Sequence, residues 1–301
     1  MKTLTRSLVC HAHAVARETN AHSVLLYADV IDEKDELAGL IADVDFRVIL
    51  VSRRADFQIP VSDERKGLCS VVRVPDFPMT RAGQIKIATL VAATESLLKA
   101  GERVVCLTGI DGSGAIDTIM VLDLGSELEL FASTAAEPPP PDVKPAVFER
   151  LLTIACELGL EGREGRPVGT IFILGDDATV LSRSRQLVIN PFHGYPEEQR
   201  NILDARLEET IKEFAAIDGA FVIRGDGVLL SAGRYLAPQD KPEEPLPRGL
   251  GARHEAAAAI TSDSTAIALC VSQSTGSVSI FKQGRLVADI QKPRSRSQTE
   301  F

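Results

Sequence analysis

Five prolines crowd into fourteen residues between Ser133 and Ala146, in the stretch STAAEPPPPDVKPA. Proline fixes φ near −65° and has no amide hydrogen, so this stretch can join neither a helix interior nor a central strand. It reads as a short, stiff linker, 133–146, that splits the chain into about 130 and 155 residues, each of ordinary domain size. Each part is expected to bury its own core. The polar end, KPRSRSQTEF from Lys292 to Phe301, reads as a flexible tail.

The first part alternates two patterns. Ser23–Ala28, Phe46–Val51, Arg103–Thr108 and Ile119–Leu124 are short apolar runs, the mark of strands covered on both faces. Ala82 to Ala100 has helical spacing and meets Gly101 as its expected cap. The alternation predicts an α/β layer with a mostly parallel, Rossmann-like sheet. After the linker, the pattern gives a helix over Val147–Leu158, a strand over Val168–Leu174 and a long helix over Glu197–Ala216. A hairpin turning at Gly225-Asp226-Gly227, a short helix over His254–Ile260 and strands over Ala266–Val271 and Ser277–Phe281 follow. The second part is therefore read as a mixed sheet flanked by helices.

Charge and cysteine content narrow the function. The net charge of −9 does not favour a polyanion partner, so neither nucleic acid nor an anionic lipid surface is expected. No run reaches the roughly 18 apolar residues of a membrane span, and the N-terminus lacks a secretory pattern. A cytoplasmic protein is expected. Cys10, Cys69, Cys106, Cys156 and Cys270 show no paired spacing and mostly sit in apolar strings, as small buried hydrophobes do.

Two short constellations carry chemistry. Asp218-Gly219-Ala220 lies between the expected long helix and a buried strand. A carboxylate there, followed by small residues, suits a divalent cation carrying a polyphosphate. The same three residues also read as a solvated loop acid and a glycine helix cap. The second is Gly251-Ala252-Arg253-His254-Glu255-Ala256, at the start of an alanine-rich helix. Unpaired amides and the dipole favour a phosphate there, and arginine adds a fork of donors. Arg253 in a surface ion pair and His254 bonded within the fold is the other reading. The loop Gly109-Ile-Asp-Gly-Ser-Gly114 lacks the P-loop pattern and reads as an ordinary turn. His11, His13 and His22 have no metal-ligand spacing and read as structural or solvent-facing; His193 lies in a loop from which it could approach the site, with a structural role the favoured reading.

In order, IKEFAAIDGAFVI, GRYL, GLGARHEAAAAIT and VSQSTGSVSIF resemble the diadenylate cyclase domain, with its DGA and RHR motifs, over about Val147 to Ile290. EGREGRPVGTIFILGD and NPFHGYPEEQRNILD resemble the archaeal-type branch, in which the N-terminal domain is similar to the C-terminal domain of pyruvate kinase. The resemblance implies domains at 1–132 and 147–291 and condensation of two ATP into cyclic di-AMP. It implies that Asp218 binds Mn²⁺ or Mg²⁺ and helps activate a ribose 3′-hydroxyl, with Gly219 and Ala220 against the nucleotide. Leu236 would pack on adenine. Residues Gly251 to Ala256 would wrap the phosphates, Arg253 and His254 holding them, and Ser272 would add a polar contact. Because one motif set can hold one ATP, a face-to-face homodimer or higher homo-oligomer is implied. Glu255 stands where the motif has arginine, Ala252 replaces a common threonine, and Gln273 stands where an acid often follows the serine. Glu255 motivates the alternative of a catalytically weak or inactive sensor that binds ATP or cyclic di-AMP.

Overall fold

The computed structural model describes residues 2–31, 34–41, 46–59, 67–110, 112–124, 140, 142–239, 246–247 and 249–291. Most of the 133–146 linker and the whole 292–301 tail lie outside the described residues.

The first half contains α1 (Lys2–Glu18), β1 (Ser23–Tyr27), α2 (Lys34–Ile41), β2 (Arg47–Ser52) and β3 (Cys69–Arg73). It continues through α3 (Arg81–Thr94), β4 (Arg103–Thr108) and β5 (Thr118–Asp123). Its sheet runs β3-β2-β1-β4-β5. The first four strands are parallel and β5 is antiparallel to β4. β1 is buried at every position and β4 at all but Arg103, which is why both read as unbroken apolar runs.

The helix expected to reach Ala100 stops at Thr94. Ser96 takes φ 59°, and the amides of Ser96 and Leu97 close back on Ala93 and Ala92, ending the helix early. Gly101 instead donates its amide to Leu124 across the β4–β5 pair. Thr80 caps the other end, its hydroxyl accepting from the Gly83 amide at 3.1 Å.

The second half contains α4 (Pro145–Glu161), β6 (Thr170–Leu174), α5 (Asp177–Ser182), β7 (Ser184–Gln186) and α6 (Glu208–Phe214). It ends with β8 (Ala220–Ile223), β9 (Leu229–Leu236), α7 (Ala252–Ser262), β10 (Ile267–Val271), β11 (Val278–Lys282) and β12 (Arg285–Ile290). The order is β12-β11-β10-β6-β8-β9-β7. Only β6 and β8 run parallel among these neighbours.

The long helix expected over Glu197–Ala216 is broken into two 3₁₀ turns, Glu197–Arg200 and Ala205–Leu207, followed by α6. Asn201 bridges to Val228, donates its side-chain amide to the Asp226 carbonyl, and is followed by Ile202 donating to Gly227. That backbone is spent on tying down the β8–β9 turn and cannot continue a helix.

Alternation along the strands divides the second half's apolar residues. Phe172, Leu174, Phe221, Ile223, Leu269 and Ile280 face α4, in a cluster continuous with the core of the first half. Ile171, Ile173, Ala220, Val222, Cys270 and Phe281 face α7. In place of two separately cored halves, one core therefore spans both, with α3 packed on α4 and β12. Two half-buried carboxyls, Glu95 and Glu149, meet at this junction. Burial and the neighbouring Glu95 push Glu149 up to about 7. Burial also raises Glu95, against the opposing pull of Glu149 and Arg73.

Candidate active site

The functional residues gather at one end of the second sheet, where β6 and β8 begin and β10 ends. Thr170 pairs with Val271, and Ile171 with Ala220. The residues just outside these pairs, Gly169, Asp218-Gly219 and Ser272-Gln273, therefore lie side by side. The start of α7 adds Arg253.

Asp218 stands on the turn between α6 and β8, with its side chain 85% exposed. The next residue explains the turn. Gly219 takes φ +108°, and a Cβ there would lie 2.6 Å from the Gly233 carbonyl carbon and 2.7 Å from the Arg234 nitrogen. The glycine is required by close approach of the protein's own β9, where the β8–β9 register shifts after Ala220. Ala220 is fully buried toward α7.

Arg253 connects the pieces. Its Nη2 lies 3.9 Å from Asp218 Oδ1, and its Nη1 donates to Gln273 Oε1 at 3.4 Å. Its side chain is 40% exposed. Gly251, in extended backbone, precedes α7 without any side-chain cap, and the first helical bonds run from the His254 and Glu255 amides to the Gly251 carbonyl. The amides of Ala252 and Arg253 thus precede the helical ladder and face outward with the positive end of the dipole. Glu255 is exposed in this first turn and Ala256 is half-buried against the α7 core. The Ser272 hydroxyl lies 3.3 Å from that of Ser274 and 3.4 Å from the Thr275 amide.

Two expected contacts take another geometry. Successive helical residues point about 100° apart, so Arg253 facing outward turns His254 inward. His254 is 6% exposed, its ring edge-to-face with Phe281 at 6.1 Å, and its Nε2 has no hydrogen-bond partner among the described residues. Burial, with Arg253 adding to it, pushes the imidazole below its ordinary value, against the pull of Asp289. It stands beneath α7 beside Phe281. Leu236 is 7% exposed and packs within the α7 core.

Sequence reasoning overlooked Gly169. A Cβ at that position would lie 2.8 Å from Gln273 Cβ and 3.0 Å from Arg253 Nη1. A glycine immediately before an apolar β-branched run is a signal of such close approach. The turn carrying Gln273 is itself docked on α4, where Gly159 and Gly276 meet backbone to backbone with no room for a side chain on either. The C-terminal end of α4, the 162–168 loop and Ser272–Gly276 line an open cleft of about 210 Å³.

Among the described residues no group of three or more His, Cys, Asp or Glu side chains could hold a metal ion. No helix among them is long and apolar enough to cross a membrane. Cys69, Cys106, Cys156 and Cys270 are buried and Cys10 is exposed. Burial pushes the Cys270 thiol, beneath the site, up to about 12.

Comparison with known proteins decides what this arrangement belongs to. The profile of the family described as DisA bacterial checkpoint controller nucleotide-binding matches residues 157–286, and that of a probable sensor domain, DacZ_P, matches residues 4–132. A diadenylate cyclase of Methanocaldococcus jannaschii is 34% identical over 262 residues, covering 85% of this chain and 83% of that one. The chain belongs to the diadenylate cyclase family. A second diadenylate cyclase, from Haloferax volcanii, is 36% identical over 204 residues, 66% of this chain and 71% of its own. Among solved structures, a double mutant of DacA from Staphylococcus aureus gives a TM-score of 0.30 at 20% identity, covering 46% of this chain and 83% of that one. A hypothetical membrane spanning protein from Bacillus cereus gives 0.37 at 20% identity, over 50% and 65%.

Proposed function

We propose that this diadenylate cyclase family member condenses two ATP into cyclic di-AMP and two pyrophosphates at the Asp218–Arg253 site. One observation carries the assignment: the carboxylate and the guanidinium, 35 residues apart in sequence, approach to 3.9 Å at the open end of the sheet, beside the uncapped start of α7.

Each half-reaction forms a bond from a ribose 3′-oxygen to the α-phosphorus of the other ATP. The bond from that phosphorus to the bridging oxygen breaks, and pyrophosphate departs with the electron pair. Asp218, exposed and unencumbered, accepts the hydroxyl proton or holds the cation that makes the hydroxyl more acidic. Arg253 and the α7 amides offset charge on the triphosphate, the main service such a site provides. Gly219 and Ala220 supply backbone against the nucleotide, and Leu236 the apolar wall edge near its base. Gly251, Ala252, Glu255 and Ala256 shape the loop around the phosphates, with Ser272 as a further polar contact. His254, buried beneath the helix start, positions Arg253.

Asp218 is an exposed carboxylate that would hold Mg²⁺ or Mn²⁺, cations that take oxygen ligands. When bound, such a cation supplies charge neutralisation at the phosphates. Two copies of the chain face each other around a two-fold axis, each presenting one ATP. In this reading residues 1–132 form a Rossmann-like domain like that of pyruvate kinase's C-terminal part, 133–146 link it to the cyclase domain at 147–291, and the protein is cytoplasmic.

The test is incubation of the purified chain with ATP and Mn²⁺, followed by chromatography. Cyclic di-AMP with two pyrophosphates per product supports the assignment; bound ATP without product overturns it in favour of a sensor. A rate per subunit that stays constant on dilution far below the dimer dissociation constant would remove the two-copy arrangement.

A further inference from the structure

Arg253 is the cation on which this reading of the site rests, and it is held without a close carboxylate. Its nearer polar partner is a neutral amide: Nη1 donates to Gln273 Oε1 at 3.4 Å. Its acidic neighbour, Asp218, stands at 3.9 Å and is largely solvated. Arg234 is held in a comparable way, by Ser184, Gln186 and backbone carbonyls, whereas several other arginines are tied to carboxylates at short range. Arg81 bonds to both oxygens of Asp117, Arg103 to both of Asp123, and Arg224 to Glu197 and Asp226. Such a fork-to-fork pair fixes a guanidinium but cancels its charge. An amide accepts one N–H and cancels nothing.

The slot is shaped to keep this pair together. Gly169 carries no positive φ, so its need is for space: a Cβ would stand 2.8 Å from Gln273 Cβ and 3.0 Å from Arg253 Nη1. Gln273 is held from behind by its turn, which closes with the Gly276 amide on the Ser272 carbonyl at 2.9 Å and rests on α4 through Gly159. The motif that often has an acid at 273 also has an arginine at 255; here Glu255 and Asp218 bring two negative charges near the start of α7, so an acid at 273 would give Arg253 an internal partner in competition with the substrate.

We propose that Gln273, seated with Gly169 behind Arg253, is a positioning residue that holds the guanidinium toward the opening while leaving its charge for the triphosphate. This rests on the reading of Arg253 as a triphosphate ligand. Gln273 acts through Arg253 and touches no reacting atom.

The experiment measures the Kd of a non-hydrolysable ATP analogue with Mn²⁺ by calorimetry, and KM and kcat for cyclase turnover, on the full chain. Gln273→Glu is expected to weaken binding and raise KM by about tenfold, the scale of one charge-assisted contact, with kcat changed less than about twofold. Gln273→Met, which keeps the shape and removes the acceptor without adding charge, should weaken binding by less. Gly169→Ala should resemble Gln273→Met. In an Arg253→Ala background the Gln273→Glu penalty should vanish, a non-additivity that a merely structural role would not produce. Wild-type Kd in both Gln273 variants, or a full Gln273→Glu penalty without Arg253, overturns the proposal. Wild-type Kd in Arg253→Ala alone overturns the parent reading of Arg253, a different result from failure at Gln273.

Discussion

The first sheet and the Asp218 end of the second sheet treat charge at their strand ends in opposite ways. In the first half, every charged group with a described partner at the ends of the parallel strands is consumed internally. Asp29, at the end of β1, accepts from the Ser52 hydroxyl, the Arg53 amide and Arg54 Nε. Arg81 closes on Asp117 and Arg103 on Asp123, holding both carboxyls below their usual range. In the second half, Asp218 is exposed and Arg253 is held only by an amide and a distant, solvated acid. The lesson is that a ligand site is recognised less by the presence of charged residues than by their remaining unspent.

The largest expected effect tests that difference directly. Asp218→Asn should lower cyclase turnover by at least about 100-fold, while its exposed position leaves the thermal midpoint within about 2 °C of wild type. A chromatographic assay with a parallel melting curve checks both; full turnover would take Asp218 out of the chemistry. Next comes Gly219→Ala, where strain and collision with β9 should cost about 2–4 kcal/mol in a denaturant titration. An unchanged midpoint there would refute the close approach as the reason for glycine.

Arg81→Ala probes the other side of the comparison. The pair it breaks is partly solvated, so the loss should be below about 1 kcal/mol, with turnover per folded molecule unchanged. A collapse in turnover at constant stability would mean that the first half's charges are not spent after all. A last effect, of similar size and confined to one side of the pH range, concerns the junction. Glu149, ordinarily near 4.5, is pushed up to about 7 in the fold, so the folded state favours the protonated acid. The cost of ionising it is absent below about pH 4.5, grows as pH rises, and is complete above about 7. Glu149→Gln should therefore be the more stable form at pH 8 by about 1 kcal/mol, after discounting for partial exposure, with the gap closing by pH 5. Equal stability curves across that range would reject the shared-proton junction.

Much of this was legible in the chain because of burial on two faces. The runs at Ser23–Ala28, Arg103–Thr108 and Ala266–Val271 read as strands since central strands tolerate little else. The edges were not legible: Ser184–Gln186 and Arg285–Ile290 carry polar and charged residues and give no continuous apolar run. The broken helix was missed because the spacing of Ile202, Leu207 and Ile211 is helical, while the hydrogen bonds that Asn201 makes to the hairpin are tertiary and leave no local trace. At the site, Asp218 and Arg253 were visible as motif residues. The inward turn of His254 follows from helical phase once Arg253 is known to face out, and the Gly169–Gln273 slot requires the register of β6 against β10, which no single segment contains.

The meeting of Gly159 with Gly276 has a mechanical meaning. Between most packed elements, side chains act as soft spacers that change rotamer and absorb small shifts. Here α4 and the turn bearing Gln273 touch through bare main chain, with no such cushion. A tilt of α4, the helix on which α3 also leans, is therefore delivered undamped to the backbone behind Arg253.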